Sequence, residues 1–211
     1  MKVCEIFASI QGESSYVGLP CVFVRITGCN LRCVYCDTTY AYEEGIKMSV
    51  DEVIDDVKIY GIKLIEITGG EPLMQKDVLS LIERLLDDGF TVLVETNGTV
   101  SIKDVDKRAI VIIDIKTPKS GMFGEMDLLN LKYLKASDEL KFVVIDREDY
   151  EWVKDFIRDY GLADKCKILL APAYGMLAPE SLSKWIIDDR LPVRLNLQMH
   201  KYIYGPDKRG V

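Results

Sequence analysis

The feature that most constrains the fold of this 211-residue chain is the alternation of short apolar, β-branched runs with segments of helical period. Val22 to Thr27, Leu64 to Thr68, Val92 to Glu95, Ile110 to Ile115, Leu140 to Ile145, Lys167 to Leu170 and Val193 to Leu197 read as strands. Between several of them lie amphipathic helices. Ser49, followed by Glu52, forms a capping-box pattern that opens a helix towards Tyr60. Further helices are expected over Lys76 to Asp88, Arg147 to Tyr160 and Pro179 to Asp188, with Pro179 at a first helical position. The N-terminal stretch stays outside this pattern. Repeated β-α order implies parallel strands with helical crossovers, in an open doubly wound sheet or in a complete or partial barrel. In either case the chemistry belongs at the C-terminal ends of the strands.

Composition narrows the class. A hydrophobic content of 48% supports one sizeable core, and a single domain over residues 1–211 is expected. No apolar window of roughly eighteen residues occurs. Met1-Lys2-Val3-Cys4-Glu5 lacks the basic-then-apolar profile of a signal peptide, so the expectation is a cytoplasmic protein with no membrane association. A formal net charge of -7 argues against sequence-independent binding to nucleic acid, which needs a basic footprint to release phosphate counterions. The substrate is expected to be small, with no nucleic-acid partner.

Three of the six cysteines fall together in Cys29-Asn30-Leu31-Arg32-Cys33-Val34-Tyr35-Cys36, directly after the first strand run and Gly28. In a reducing compartment such clustering suggests metal or redox use rather than a disulfide framework. A complete iron-sulfur cluster takes four thiolates, and the motif offers three. The fourth iron of a 4Fe-4S cluster is then open to an exchangeable ligand. A structural zinc site and an electron-carrying ferredoxin are the alternatives. Both need a fourth ligand, which would have to come from Cys4, Cys21 or Cys166, since the lone histidine, His200, is remote. For Cys4, Cys21 and Cys166 a small buried hydrophobe is the simpler reading. A second landmark, Thr68-Gly69-Gly70-Glu71-Pro72, ends another strand, where adjacent glycines let the backbone approach a ligand. Glu95-Thr96-Asn97-Gly98 and Asp114-Ile115-Lys116-Thr117-Pro118-Lys119 end two more. Strand-to-helix turns and solvated rims are the plain readings of these segments.

The cysteine spacing, with Tyr35 before its last member, resembles the signature of the radical S-adenosylmethionine superfamily. There the open iron binds the amino and carboxylate groups of S-adenosylmethionine, and one-electron cleavage gives a 5'-deoxyadenosyl radical. The stretches Phe7-Ala8-Ser9-Ile10-Gln11-Gly12-Glu13, Gly18-Leu19-Pro20, Phe23 to Leu31, Cys36-Asp37-Thr38 and Gln198-Met199-His200-Lys201 resemble the 7-carboxy-7-deazaguanine synthases. That resemblance implies a truncated, partial β/α barrel with a mostly parallel sheet. It implies a lyase that converts 6-carboxy-5,6,7,8-tetrahydropterin to 7-carboxy-7-deazaguanine with loss of ammonia, on the way to queuosine or archaeosine. It also implies Mg2+, a homodimer and an external one-electron reductant. An activase that makes a glycyl radical on a partner protein would share the cluster and is the nearest rival.

Carried over by position, Cys29, Cys33 and Cys36 hold the cluster. Tyr35, Gly69, Gly70 and Glu71, then Asp114, Lys116, Thr117, Pro118 and Lys119, then Ala171, Pro172, Ala173 and Tyr174, meet S-adenosylmethionine. Ile10, Gln11, Gly12, Glu13, Thr68, His200 and Pro206 meet the pterin. Arg25 pairs with its carboxylate, for which a guanidinium fork is well suited. Thr38 ligates magnesium through its hydroxyl, as a hard cation prefers. Residue by residue, Gln11 and Glu13 as turn caps, Arg25 as a structural ion pair, Thr38 as an N-cap and His200 as a packed side chain are the plainer alternatives. The chain continues past Pro206 through Asp207-Lys208-Arg209-Gly210-Val211.

Overall fold

A computed structural model describes residues 1–211. Its elements follow one another as β1 (Lys2–Ile10), β2 (Pro20–Ile26), β3 (Ile46–Lys47), α1 (Val50–Ile59), β4 (Leu64–Gly69), α2 (Asp77–Asp87), β5 (Thr91–Thr96), β6 (Ile110–Ile115), β7 (Glu139–Val144), α3 (Arg147–Asp159), β8 (Lys167–Pro172), α4 (Pro179–Asp188), β9 (Arg194–Leu195) and α5 (Met199–Tyr204). The strands form one sheet of order β3-β1-β2-β4-β5-β6-β7-β8-β9. From β2 to β9 every pairing is parallel, whereas β1 runs antiparallel to β2 and to β3. The sheet is mostly parallel and does not close, which makes it a partial barrel.

The expected strands and helices form with small shifts at their ends. Ser49 caps α1 in a reciprocal box with Glu52, and Pro179 opens α4. Three features depart from the sequence reading. Residues 2–10 are a full strand. Val193 to Leu197 shrinks to two paired residues. Two connections lack an α-helix: residues 97–109 form a loop, and short 3-10 helices at Pro118–Ser120, Phe123–Glu125 and Leu128–Lys132 span the path from β6 to β7.

Side chains alternate between the two faces of a strand, and here the faces differ in chemistry. One face sends Val24, Ile26, Ile65, Ile67, Val92, Val94, Val111, Ile113, Leu140 and Phe142 against α1, α2, α3 and α4 in a core of 34 buried residues. On the other face, the N-terminal ends of the strands carry a small apolar cluster of Cys21, Phe23, Leu64, Leu93, Ile110 and Ile112. Towards the C-terminal ends that face changes character and presents Arg25, Glu66, Thr68, Glu95, Asp114 and Lys141 to a cavity. The apolar cluster is thus a plug beneath a polar floor. Because Ile67 is fully buried on the helix side, Ile67→Ala should lower unfolding free energy by about 2–5 kcal/mol. Anaerobic urea titration measures this, and a loss under about 1 kcal/mol would contradict the packing described.

Candidate active site

The chain leaves β2 through Gly28, whose φ of 99° lies in the region that favours glycine, and enters the cysteine loop. Leu31, 1% exposed, anchors the loop. Arg32 Nη1 donates to the carbonyls of Cys29 at 2.8 Å and Leu31 at 2.7 Å, and its guanidinium lies 4.1 Å from the Tyr42 ring centroid. Cys29 Sγ accepts from the Leu31 amide at 3.4 Å and from Asn97 Nδ2 at 3.7 Å. All three cysteines of the motif line one cavity of about 470 Å3. No three His, Cys, Asp or Glu side chains converge closely enough to hold a single metal ion. Three thiols around a shared cavity, with amide donors aimed at one sulfur, do suit a larger polynuclear cluster. Burial pushes the Cys33 thiol up, and the nearby Lys116 ammonium pulls it back.

The glycine pair at the end of β4 braces this loop. Gly69 has a φ of 145°, and a Cβ there would collide with the Ile26 carbonyl. A Cβ on Gly70 would meet the Gly28 carbonyl and Cys29 Cβ. The backbone is stitched by Gly70 N to Ile26 O at 3.1 Å and Glu71 N to Gly28 O at 2.7 Å. The Glu71 side chain turns away from the cavity. Fully buried, it accepts from Leu73 N at 3.0 Å, Thr96 Oγ1 at 2.8 Å and Asn97 N at 2.6 Å, clasping the ends of β4 and β5.

Beside the cysteines, Lys116 pairs with Asp114 at 2.7 Å and lies 5.7 Å from the Tyr35 ring centroid. Tyr35 Oη and Asp114 Oδ1 are buried without a hydrogen-bond partner. Orphaned polar atoms lining a cavity fit a polar ligand of the kind S-adenosylmethionine provides. Ala171, Pro172, Ala173 and Tyr174 line the same wall. Thr117, Pro118 and Lys119 lie off the cavity lining. Thr117 donates to Asp149 at 2.8 Å, Pro118 opens a 3-10 helix, and Lys119 reaches Asp146 at 3.0 Å and Glu148 at 2.7 Å.

Across the cavity lies a second set of groups. Gln11 donates to Glu66 and accepts from the Glu13 amide at 3.1 Å. Glu13 pairs with Lys141 at 2.7 Å and accepts from Gln198 at 3.0 Å. Burial opposes its charge, but Lys141 and Gln198 hold its carboxyl below the usual value. Gly12 lies under the His200 imidazole so closely that any Cβ would strike the ring, and its carbonyl accepts from the Met199 amide at 2.9 Å. Burial lowers the pKa of His200, which favours neutral imidazole. Arg25 gives its Nε to Glu5 at 2.7 Å and makes no other side-chain hydrogen bond, so both Nη groups stay free. Thr38 precedes a short 3-10 helix at Thr39–Tyr42 but makes no side-chain cap; its hydroxyl donates to Asp37 Oδ1 at 2.9 Å. Burial works against the Asp37 charge, yet Lys201 at 2.6 Å holds that carboxyl well below its ordinary range. Ile10, Thr68 and Pro206 also line the cavity, as do residues 207–211. Glu66 and Lys141 are cavity groups that motif reasoning passed over, while Glu95 and Asp37 lay inside quoted stretches without a role of their own.

Residues 23–160 match the Radical SAM superfamily, and with a cysteine loop of this geometry the chain belongs to it. Over its whole length the chain is 45% identical to a 7-carboxy-7-deazaguanine synthase of Chlorobaculum tepidum, 97% of which is covered. It is 42% identical to one of Koribacter versatilis, with both chains covered in full. The chain is a member of the 7-carboxy-7-deazaguanine synthase family. The crystal structure of QueE from Escherichia coli shares the fold, with a TM-score of 0.79, 23% identity and 94% of each chain covered. No helix is long and apolar enough to cross a membrane.

Packing around Gly70 gives a test. Gly70→Ala forces backbone apart between the strand end and the cysteine loop, at a cost of about 1–3 kcal/mol. The variant should melt lower and retain less iron per chain after anaerobic reconstitution. Wild-type iron content with an unchanged melting temperature would show that the loop does not depend on this contact.

Proposed function

We propose that this chain converts 6-carboxy-5,6,7,8-tetrahydropterin to 7-carboxy-7-deazaguanine with loss of ammonia, using a 4Fe-4S cluster, S-adenosylmethionine and Mg2+. One observation carries the reading: the three clustered thiols and the two unpaired Nη groups of Arg25 open onto the same cavity. When bound, the cluster and S-adenosylmethionine supply hydrogen-atom abstraction by one-electron chemistry. What the chain contributes is placement.

Cys29, Cys33 and Cys36 would hold three irons and leave the fourth exchangeable. Tyr35, Gly69, Gly70, Asp114, Lys116 and the wall from Ala171 to Tyr174 would receive S-adenosylmethionine. Glu71, Thr117, Pro118 and Lys119 would act behind that wall by fixing the backbone. The Arg25 fork, its Nε already committed to Glu5, would receive the substrate carboxylate through its Nη groups, which fixes the orientation of the ring. Ile10, Gln11, Gly12, Glu13, Thr68, neutral His200 and Pro206 would border the pterin. Magnesium would find the Thr38 hydroxyl and would need substrate oxygens or waters to complete its shell, since Asp37 is engaged by Lys201. A homodimer, an external reductant and a cytoplasmic location complete the proposal, with the product serving queuosine or archaeosine formation.

Anaerobically reconstituted protein should carry about four irons per chain and turn over the pterin with S-adenosylmethionine and reductant present. Cys33→Ala should lose iron and turnover together, while Cys166→Ala, which lies off the cavity lining, should keep both. Turnover by Cys33→Ala at the wild-type rate would sink the assignment.

Arg25→Lys retains charge but not the fork. It should raise KM for the pterin by about tenfold or more at unchanged iron content, since an imperfectly satisfied, desolvated ion pair is costly. An unaltered KM would return Arg25 to its pairing with Glu5 alone.

A further inference from the structure

Four carboxylates stand on the cavity floor: Glu13, Glu66, Glu95 and Asp114. Lys141 reaches Glu13 and Glu95, and Lys116 reaches Asp114. Glu66 alone has no cation within 4 Å. It sits on β4 between Phe23 of β2 and Leu93 of β5, at 5% exposure. Its Oε2 accepts from Gln11 Nε2, while its Oε1 has no hydrogen-bond partner in the protein. The orientation of the Gln11 amide is fixed at its other end, where Oε1 accepts from the Glu13 amide. That contact therefore leaves the free oxygen of Glu66 as the available polar atom.

The charges facing Glu66 are Glu95 on β5, Glu13 on the loop after β1, Lys141 on β7 and Arg25 on β2, with the Cys21 thiol also near. Burial and then the like charge of Glu95 push its carboxyl up to about 8, against the hydrogen bond from Gln11 and the weaker pull of Lys141. Lys141 is already shared by two carboxylates, so ionising Glu66 would add an unpaired buried charge. It would also repel a substrate that is itself a carboxylate.

We infer that Glu66 meets the substrate as a neutral carboxylic acid, with Oε1 donating its proton to an acceptor atom on the polar edge of the ring, and thereby selects which edge faces the floor. This rests on the pterin reading above. Because Oε2 is held as an acceptor by Gln11, the proton belongs on Oε1, and Glu66 then presents a donor beside the acceptor oxygens of Glu13 and Glu95. Such a contact discriminates strongly, since a ring edge presenting a second donor would leave two donors opposed.

Two measurements on the reconstituted protein decide it. Infrared difference spectra of wild type against Glu66→Gln, with glutamate-labelled protein for assignment, should contain the carbonyl stretch of a neutral carboxylic acid at neutral pH. That band should titrate away near about 8. KM for 6-carboxytetrahydropterin should then rise roughly tenfold per pH unit above that point in wild type, because the donor is present only below it. Glu66→Gln keeps an amide donor and cannot ionise, so its alkaline rise should vanish whatever its absolute rate. Glu66→Leu should hold KM about 10- to 100-fold above the neutral-pH wild-type value and independent of pH. Absence of the neutral band, or the same alkaline rise in Glu66→Gln, overturns the inference while leaving the pterin reading intact. A protein that shows the band yet binds no pterin overturns both.

Discussion

The ammonium of Lys141 is buried at the cavity floor, 2.7 Å from Glu13 and 2.6 Å from Glu95, with Asp114 at 4.0 Å. Burial works against its charge, but Glu13 and Glu95 outweigh that penalty and hold it well above its ordinary pKa. Buried ion pairs add little net stability, yet removing one partner strands the others, which makes the cluster hard to dismantle piecemeal. Lys141 joins β7 to β5 and to the loop after β1, and through Glu13 to the Gln198 side chain beyond β9. The polar floor is therefore one unit, and the positions of Gln11, Glu13 and Glu66 are set by it rather than by their local backbone.

The opposite half of the cavity relies on backbone proximity. Gly69 and Gly70 admit the ends of β2 and β4 to a distance that no side chain tolerates, and the Glu71 side chain ties the end of β4 to that of β5. These contacts leave the cysteine loop braced from below while its sulfurs face open space. One half of the site is electrostatic and fixed by charge balance; the other is steric and fixed by the absence of atoms.

Much of this was legible beforehand for identifiable reasons. The buried parallel strands announce themselves as apolar runs, the helix over Val50–Ile59 carries its capping box in the sequence, and that over Pro179–Asp188 its first-position proline. Lys2–Ile10 escaped because a strand at the margin of the sheet, partly buried along most of its length, lacks contrast between its two faces. Met199–Tyr204 escaped because six residues are too few for a helical period to emerge. In the site, cysteine spacing carries its chemistry openly, whereas Glu66 and Lys141 are single charges inside apolar runs. That oddity was the available signal: Leu64-Ile65-Glu66-Ile67 and Leu140-Lys141-Phe142 place an ion where a buried strand should have none unless a partner waits across the sheet. The partners come from distant segments, so no local window reveals them.

The separation in sequence between the two halves has a kinetic meaning. The cysteine loop and its glycine brace rest on β2, β4 and the residues just after them, with further ties to Asn97, Ser120 and Met122, all well before the end of the chain. The opposite side of the cavity instead depends on bonds such as Gln198 to Glu13, 185 residues apart, and Ser14 to Asn196, 182 apart. Closing loops of that length costs entropy that only the finished sheet returns, so these contacts form late. On a ribosome the thiols would be in place while the end of the chain was still being made. The last residues made are thus the ones that finish the cavity, so a chain cut short before Asn196 would keep its cysteine loop and lose the ties that hold Ser14 and Glu13.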